Sequence, residues 1–217
     1  MGTEIKKRLN TGLFLILLLI LMFLYKPIYL FISLTIFVYS FIEFSFISKK
    51  IIKKKNIKLF LINILFLIYM SFILIILMAG INDIHLRIIL FSIIFICVAS
   101  DIGGYIFGKT FKGPKLSSIS PNKTFSGSVG SFLLASATSY FLLNILYNNS
   151  FLENLLIGII ISFFVQIGDL LFSYLKRKSK IKDTGQILPG HGGLLDRIDG
   201  IIFGLPVGLI IISILII

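Results

Sequence analysis

Residues 173–199 read SYLKRKSKIKDTGQILPGHGGLLDRID, and their polarity sets them apart from most of the chain. The stretch gathers Lys176, Arg177, Lys178, Lys180, Lys182 and Arg197 with Asp183, Asp196, Asp199 and His191, and sets Gly190, Gly192 and Gly193 around the histidine. Apolar runs of membrane-spanning length lie on either side. So many ionisable groups beside hydrocarbon-compatible sequence are costly unless they meet a charged ligand or a metal. This stretch is the expected working part.

Composition supports the membrane reading. The chain has 217 residues, 57% hydrophobic and only 14% charged, against about 25% charged in a soluble domain. The net charge of +12 would suit nucleic acid. The lysines, however, sit at the ends of apolar runs rather than on a polar domain, so no nucleic-acid partner is expected. Cys97 is the single cysteine and lies inside an apolar run. A disulfide framework and a Cys-based metal site are thereby excluded, and Cys97 reads as a small buried apolar residue.

Seven apolar runs can be marked, at about 11–25, 28–47, 59–79, 86–104, 126–147, 152–175 and 198–217. Each approaches the roughly 17–25 residues that a spanning helix needs, the first being short. No period-two alternation appears, which disfavours a transmembrane β-barrel. The first run follows Lys6, Lys7 and Arg8 as a signal peptide would, yet no small-x-small cleavage site follows, and Lys26-Pro27 leads at once into the second run. A retained helical hairpin is expected. The expected fold is all-α: a polytopic integral membrane protein with about seven transmembrane helices.

Charge placement orients it. Alternate segments hold 19 of the 21 Lys and Arg residues, and the loops between them carry only Lys26 and Arg87. The N-terminus and all four basic segments are therefore expected on the cytoplasmic side. The cluster Lys49, Lys50, Lys53, Lys54, Lys55 and Lys58 reads as a topology anchor that also attracts anionic headgroups. His85, beside Asp83, reads as a solvated loop residue. Glu43 lies inside the second run: a buried acid there is a functional candidate, whereas one near the helix end simply reaches the headgroups. Two regions result, N-terminal helices over 1–100 and a catalytic transmembrane region over 101–217, with cytoplasmic loops 101–125 and 176–197.

Three constellations carry chemistry. Residues 101–131, DIGGYIFGKTFKGPKLSSISPNKTFSGSVGS, open on Asp101 and then alternate Gly, Lys, Ser and Pro. Glycines let backbone amides approach a phosphate, and Lys109, Ser120, Lys123, Thr124 and Ser126 supply charge and hydroxyls. The same composition also makes a flexible basic linker. The sixth run ends with Gln166, Asp169 and Ser173, whose helical spacing puts them on one face with Lys176 or Arg177. A carboxylate there needs a basic partner or a metal. Pro189-Gly190-His191-Gly192-Gly193 reads as a tight turn, after which Asp196 and Asp199 fall on the first turns of the last helix. Acids there are ordinarily caps that complement the helix dipole. With Asp169 and Asp183 they also offer the hard oxygens by which Mg²⁺ is held, and with one candidate histidine zinc is not expected. Carboxylates, basic groups and Gly-rich turns together point to phosphoryl or nucleotidyl transfer onto a membrane-borne acceptor.

The pattern Ser173-x-Leu175-Lys176-Arg177-x₄-Lys182-Asp183-x-Gly185-x₂-Leu188-Pro189-x-His191-Gly192-Gly193-x₂-Asp196-Arg197-x-Asp199 resembles the signature of the phosphatidate cytidylyltransferases (CDP-diacylglycerol synthases) without a gap. Gln166-x-Gly168-Asp169-Leu170-x₂-Ser173, Asp101-x-Gly103-x-Tyr105-x-x-Gly108-Lys109 and Ser120-Pro121-x-Lys123-Thr124 are similar to that family too. The resemblance covers about 101–200. Two departures stand out: Phe172 where the family usually has Glu, and Phe125-Ser126 where Trp-Glu is common. The first removes a second acid from the sixth helix and leaves Asp169.

The resemblance implies the reaction CTP + phosphatidic acid → CDP-diacylglycerol + pyrophosphate, with Mg²⁺ and room for a second cation. It implies that Asp169 and Asp196 hold the metal. Ser173, Lys123, Lys176, Arg177 and Lys182 would contact phosphates, while Asp183, His191, Arg197 and Asp199 shape the site. Asp101, Lys109, Ser120, Thr124, Gly192 and Gly193 are expected on the substrate side. The expected location is the inner membrane of a bacterium, facing the cytoplasm, with a homodimer left open. The competing readings are a CTP-dependent transferase for another lipid phosphate, an anionic-substrate transporter, and a lipid-binding scaffold. A transporter would want mid-span acids and an internal repeat, and neither is visible.

Overall fold

A computed structural model describes residues 2–52, 56–117, 120, 123–147, 150–185, 187 and 192–216, with side chains from residue 11 onward. His191, Pro189, Gly190 and the Lys53, Lys54 and Lys55 run lie outside the described residues.

Among the described residues seven helices follow one another: α1 (Gly2–Leu24), α2 (Lys26–Ile51), α3 (Ile57–Ala79), α4 (Ile84–Phe111), α5 (Phe125–Tyr147), α6 (Phe151–Lys178) and α7 (Leu195–Leu215). Helices α2 to α7 are long and apolar enough to cross a membrane, whereas the apolar part of α1 is the shorter Thr11–Leu24. The protein is a polytopic helical membrane protein. An α-helix satisfies its own backbone groups, which is what a spanning segment in lipid requires.

Local chemistry sets the ends. Pro27 stands in the first turn of α2, where its missing N–H costs nothing. Asp83 starts α4, its Oδ1 accepting from the amides of His85 and Leu86 at 2.9 and 3.2 Å. Thr124 caps α5, its hydroxyl accepting from the Gly127 amide at 3.1 Å. Helix α6 closes in a Schellman arrangement: Lys180 takes φ 56°, while Lys180 N donates to Arg177 O and Ile181 N to Lys176 O at 3.1 and 3.0 Å.

Two boundaries differ from the sequence expectation. The predicted loop 101–125 is helical through Phe111, so Asp101 and Lys109 sit on α4 and the loop proper is 112–124. The predicted loop 176–197 is helical at both ends, which puts Lys176 and Arg177 on the last turn of α6 and Asp196 and Arg197 on the first turn of α7.

The chain forms two compact units, Met1–Arg87 with Leu175–Ile198 and Ile88–Tyr174 with Asp199–Ile217. In the first, Tyr29 is fully buried and its hydroxyl donates to Leu77 O at 2.8 Å, and the rings of Phe44 and Phe66 stack at 3.8 Å. Arg87, expected in an outer loop, is instead a buried residue of α4. It donates to Gly80 O at 2.9 Å, to Phe23 O at 3.2 Å and to Ile81 O. Those bonds satisfy carbonyls at the end of α1 (Phe23) and just past the end of α3 (Gly80, Ile81), where helical partners run out.

In the second unit, glycines bring α4 and α5 into backbone contact. A Cβ on Gly130 would stand 2.7 Å from Gly103 O, and one on Gly104 would stand 2.7 Å from Ser131 Oγ. Gly168 likewise admits α7, since its Cβ would come within 2.5 Å of Asp199 O. The glycines of α4, expected to serve phosphates, serve helix packing here. Cys97 is buried, as its apolar setting implied.

Candidate active site

The predicted site residues are described within each unit. In the first unit the central group is Asp196. Its Oδ1 accepts from Lys176 Nζ at 2.7 Å. Its Oδ2 accepts from Thr184 N at 2.7 Å and from Gly193 N at 3.0 Å, with Thr184 Oγ1 also 3.0 Å away. A carboxylate with so many donors is held in one orientation. Gly192 is required for two reasons: its φ is 82°, and a Cβ there would meet Asp196 Oδ2 at 2.9 Å and Asp183 Cβ at 3.1 Å. Arg177, Lys182, Asp183 and Arg197 are exposed, where solvent-borne groups can reach them.

From sequence, Glu43 is a functional candidate only if it is buried, and the structure buries it, 4% exposed. It is bonded to Thr184 Oγ1, Leu194 N and Leu195 N. Thr184 was missed altogether. Its only sequence signal was its place between the predicted site residue Asp183 and Gly185.

In the second unit the central group is Asp169, whose Oδ2 accepts from Lys123 Nζ at 2.7 Å. The expectation offered Asp169 the basic residues one or two turns on; the basic group beside it comes instead from the loop before α5. That loop is folded on itself. Leu116 N donates to Lys123 O at 2.8 Å, Phe125 N to Pro114 O at 3.0 Å and Lys123 N to Ser120 O at 3.0 Å. Thr124, expected as a phosphate donor, caps α5 and lies 3.0 Å from Ser126 Oγ. Gln166 Oε1 accepts from Ser128. Asp199 is buried, with Oδ1 taking the Gly200 amide at 3.0 Å. Ser173 is half-buried on α6, whereas Asp101 and Lys109 are exposed on α4.

Each unit, taken by itself, holds one carboxylate of the hard-oxygen chemistry that Mg²⁺ takes. Asp169 and Asp196 each present an oxygen to a cationic group, the lysine ammonium at 2.7 Å. Among the described residues no three His, Cys, Asp or Glu side chains form a closed cage. Mg²⁺ is characteristically held without one, by one or two carboxylates together with substrate phosphates and water.

The fold defines a polytopic helical membrane protein, and each of its two units pairs a carboxylate with a lysine. The chain belongs to the cytidylyltransferase family, whose model matches residues 2–215. It is similar to proteins named phosphatidate cytidylyltransferase. The Helicobacter pylori (strain J99 / ATCC 700824) protein is 43% identical over 109 residues, which are 50% of this chain and 41% of that protein. That of Rickettsia felis is 44% identical over 132 residues, 56% of this chain and 58% of the relative. That of Synechocystis sp. is 42% identical over 116 residues, 52% and 39% of the two chains. The chain thus spans about half the length of the curated relatives it matches.

Proposed function

We propose that this chain transfers a cytidylyl group from CTP to phosphatidic acid, giving CDP-diacylglycerol and pyrophosphate, as the names of its relatives suggest. The observation that carries the reading is the fixed Asp196 carboxylate, bonded to Lys176, Thr184 and Gly193 inside the ungapped signature. A phosphate oxygen of the lipid attacks the α-phosphorus of CTP, and the bond from that phosphorus to the bridging oxygen of the β-phosphate breaks. Pyrophosphate leaves with the bonding electrons. The attacking phosphate is already anionic, so the main demand is charge neutralisation rather than a strong base.

Asp169 and Asp196 are the carboxylates that would hold Mg²⁺, which when bound offsets the negative charge of the triphosphate. Lys176 and Lys123 neutralise those carboxylates through ion pairs of 2.7 Å, and their ammonium groups would also serve phosphate oxygens of the substrates. Arg177, Lys182 and Arg197 add positive charge for the leaving pyrophosphate. Asp183 and Asp199 shape the segments that carry Lys182 and Arg197. The basic segments favour a cytoplasmic orientation, the side that holds CTP, and bacterial relatives favour an inner-membrane location.

The test uses membranes containing the full chain, labelled CTP and phosphatidic acid, with Mg²⁺ or with EDTA. Labelled CDP-diacylglycerol should form only with Mg²⁺ present, and Asp196→Asn should abolish it while the protein stays membrane-inserted. Absence of the product from active-site-intact membranes sinks the reading. Near-full activity of Asp196→Asn removes Asp196 from the metal.

A further inference from the structure

We propose that Glu43, on α2 and outside the signature, is a positioning residue of this site. Its carboxylate fixes Thr184 and the start of α7 and, through Thr184, sets the orientation of Asp196. The inference rests on the function proposed above.

Glu43 is 4% exposed and is the one acid of α2. Burying an acid costs several kcal/mol unless its oxygens are hydrogen-bonded. They are: Oε1 takes Leu194 N at 2.9 Å, and Oε2 takes Leu195 N at 2.8 Å and Thr184 Oγ1 at 2.6 Å. The two amides open α7, where helical partners are missing and a negative charge complements the dipole. Gly185 and Gly193 let their own backbone approach the carboxylate, since a Cβ on either would come within 2.6 Å of Oε1 or 2.5 Å of Oε2 respectively. An acid 151 residues away in sequence from Leu194 thereby anchors the start of the helix that carries Asp196.

The link to Asp196 runs through one residue. Thr184 Oγ1 stands between the two carboxylates, 2.6 Å from Glu43 Oε2 and 3.0 Å from Asp196 Oδ2. A hydroxyl has one proton. Spending it on Glu43 sets the Thr184 rotamer, and the Thr184 amide then meets Asp196 at 2.7 Å. Packing alone would accept a glutamine of the same shape. Three donors on two oxygens do not, because the amide nitrogen of glutamine faces a donor with a donor.

The experiment compares wild type with Glu43→Gln, Thr184→Val, Thr184→Ser and the Glu43→Gln/Thr184→Val pair, using the full chain in detergent well below each melting temperature. In Glu43→Gln and Thr184→Val, kcat should fall about 10–100-fold, as for supporting residues around metal ligands. KM for CTP should stay within about three-fold. The pair should be no worse than the poorer single variant, and Thr184→Ser should work like wild type. A separate arm reads position without activity: trypsin should cut faster after Lys182 in Glu43→Gln, with cleavage after Lys112 unchanged. Wild-type kcat in Glu43→Gln, or equal acceleration at Lys112 and Lys182, overturns the proposal. If wild type forms no CDP-diacylglycerol, the functional reading fails by itself, and an unchanged rate at Lys182 still overturns the positional one.

Discussion

Lys176 Nζ stands 2.7 Å from Asp196 Oδ1, so the last turn of α6 grips the first turn of α7 through an ion pair. The side chains are only 16% and 6% exposed. Breaking such a pair leaves a buried charge without a counterion, at about 3–5 kcal/mol. Lys176→Met should lower the unfolding midpoint in detergent accordingly, and adding Asp196→Asn to it should recover part of the loss. A single variant as stable as wild type would show that solvent already screens the pair.

Lys123 and Asp169 make the matching pair in the other unit but are 28% and 23% exposed. Solvent screening keeps the stability of such a pair within about 1 kcal/mol. On the proposed function its worth lies in chemistry. Lys123→Ala and Asp169→Asn should leave the unfolding midpoint nearly unchanged yet lower the turnover of CTP roughly 100-fold or more. The double variant should be no worse than the poorer single one, since the residues act as a unit. Full turnover in Asp169→Asn would remove that residue from the metal.

How much of this was legible depends on the range of each interaction. Helix positions follow from apolar run length, which is local, and the seven helices of the described residues fall where such runs predict. The end of α4 was missed because Gly103, Gly104, Gly108 and Lys109 look like a loop in isolation; only α5 shows that the glycines are packing sites. The signature residues were legible because they crowd into 27 positions. The long-range contacts of Asp169 and Glu43 were not. Lys123 is 46 residues from Asp169 and Glu43 is 152 from Leu195, and no periodicity records a contact across such separations. Thr124 was ambiguous for another reason: a hydroxyl before a helix serves equally as a cap or a phosphate donor.

Close packing of α4 on α5 predicts a sharp glycine dependence. Gly130→Ala would drive a methyl to 2.7 Å from Gly103 O and into the Phe107 ring. Overpacking of this kind costs about 1–3 kcal/mol. A methyl group on Gly12 would meet nothing within 4 Å, so that position serves as the control. Folded yield and unfolding midpoint should fall for Gly130→Ala and stay level for Gly12→Ala. A tolerant Gly130 would mean that the two helices can separate without loss.

Arg87 supplies the contrasting case, a buried charge used for structure. Its guanidinium donates to three carbonyls, those of Gly80, Ile81 and Phe23, and lies 5.4 Å from the centre of the Tyr29 ring. A lysine offers a single ammonium in place of the planar fork and cannot reach the same three acceptors together. Each buried carbonyl left without a donor costs about 1–3 kcal/mol. Arg87→Lys should therefore lower the unfolding midpoint clearly, while activity per folded molecule stays at the wild-type level. The measurement is turnover normalised to the folded fraction, and a fall in that normalised turnover would assign Arg87 a part in the reaction.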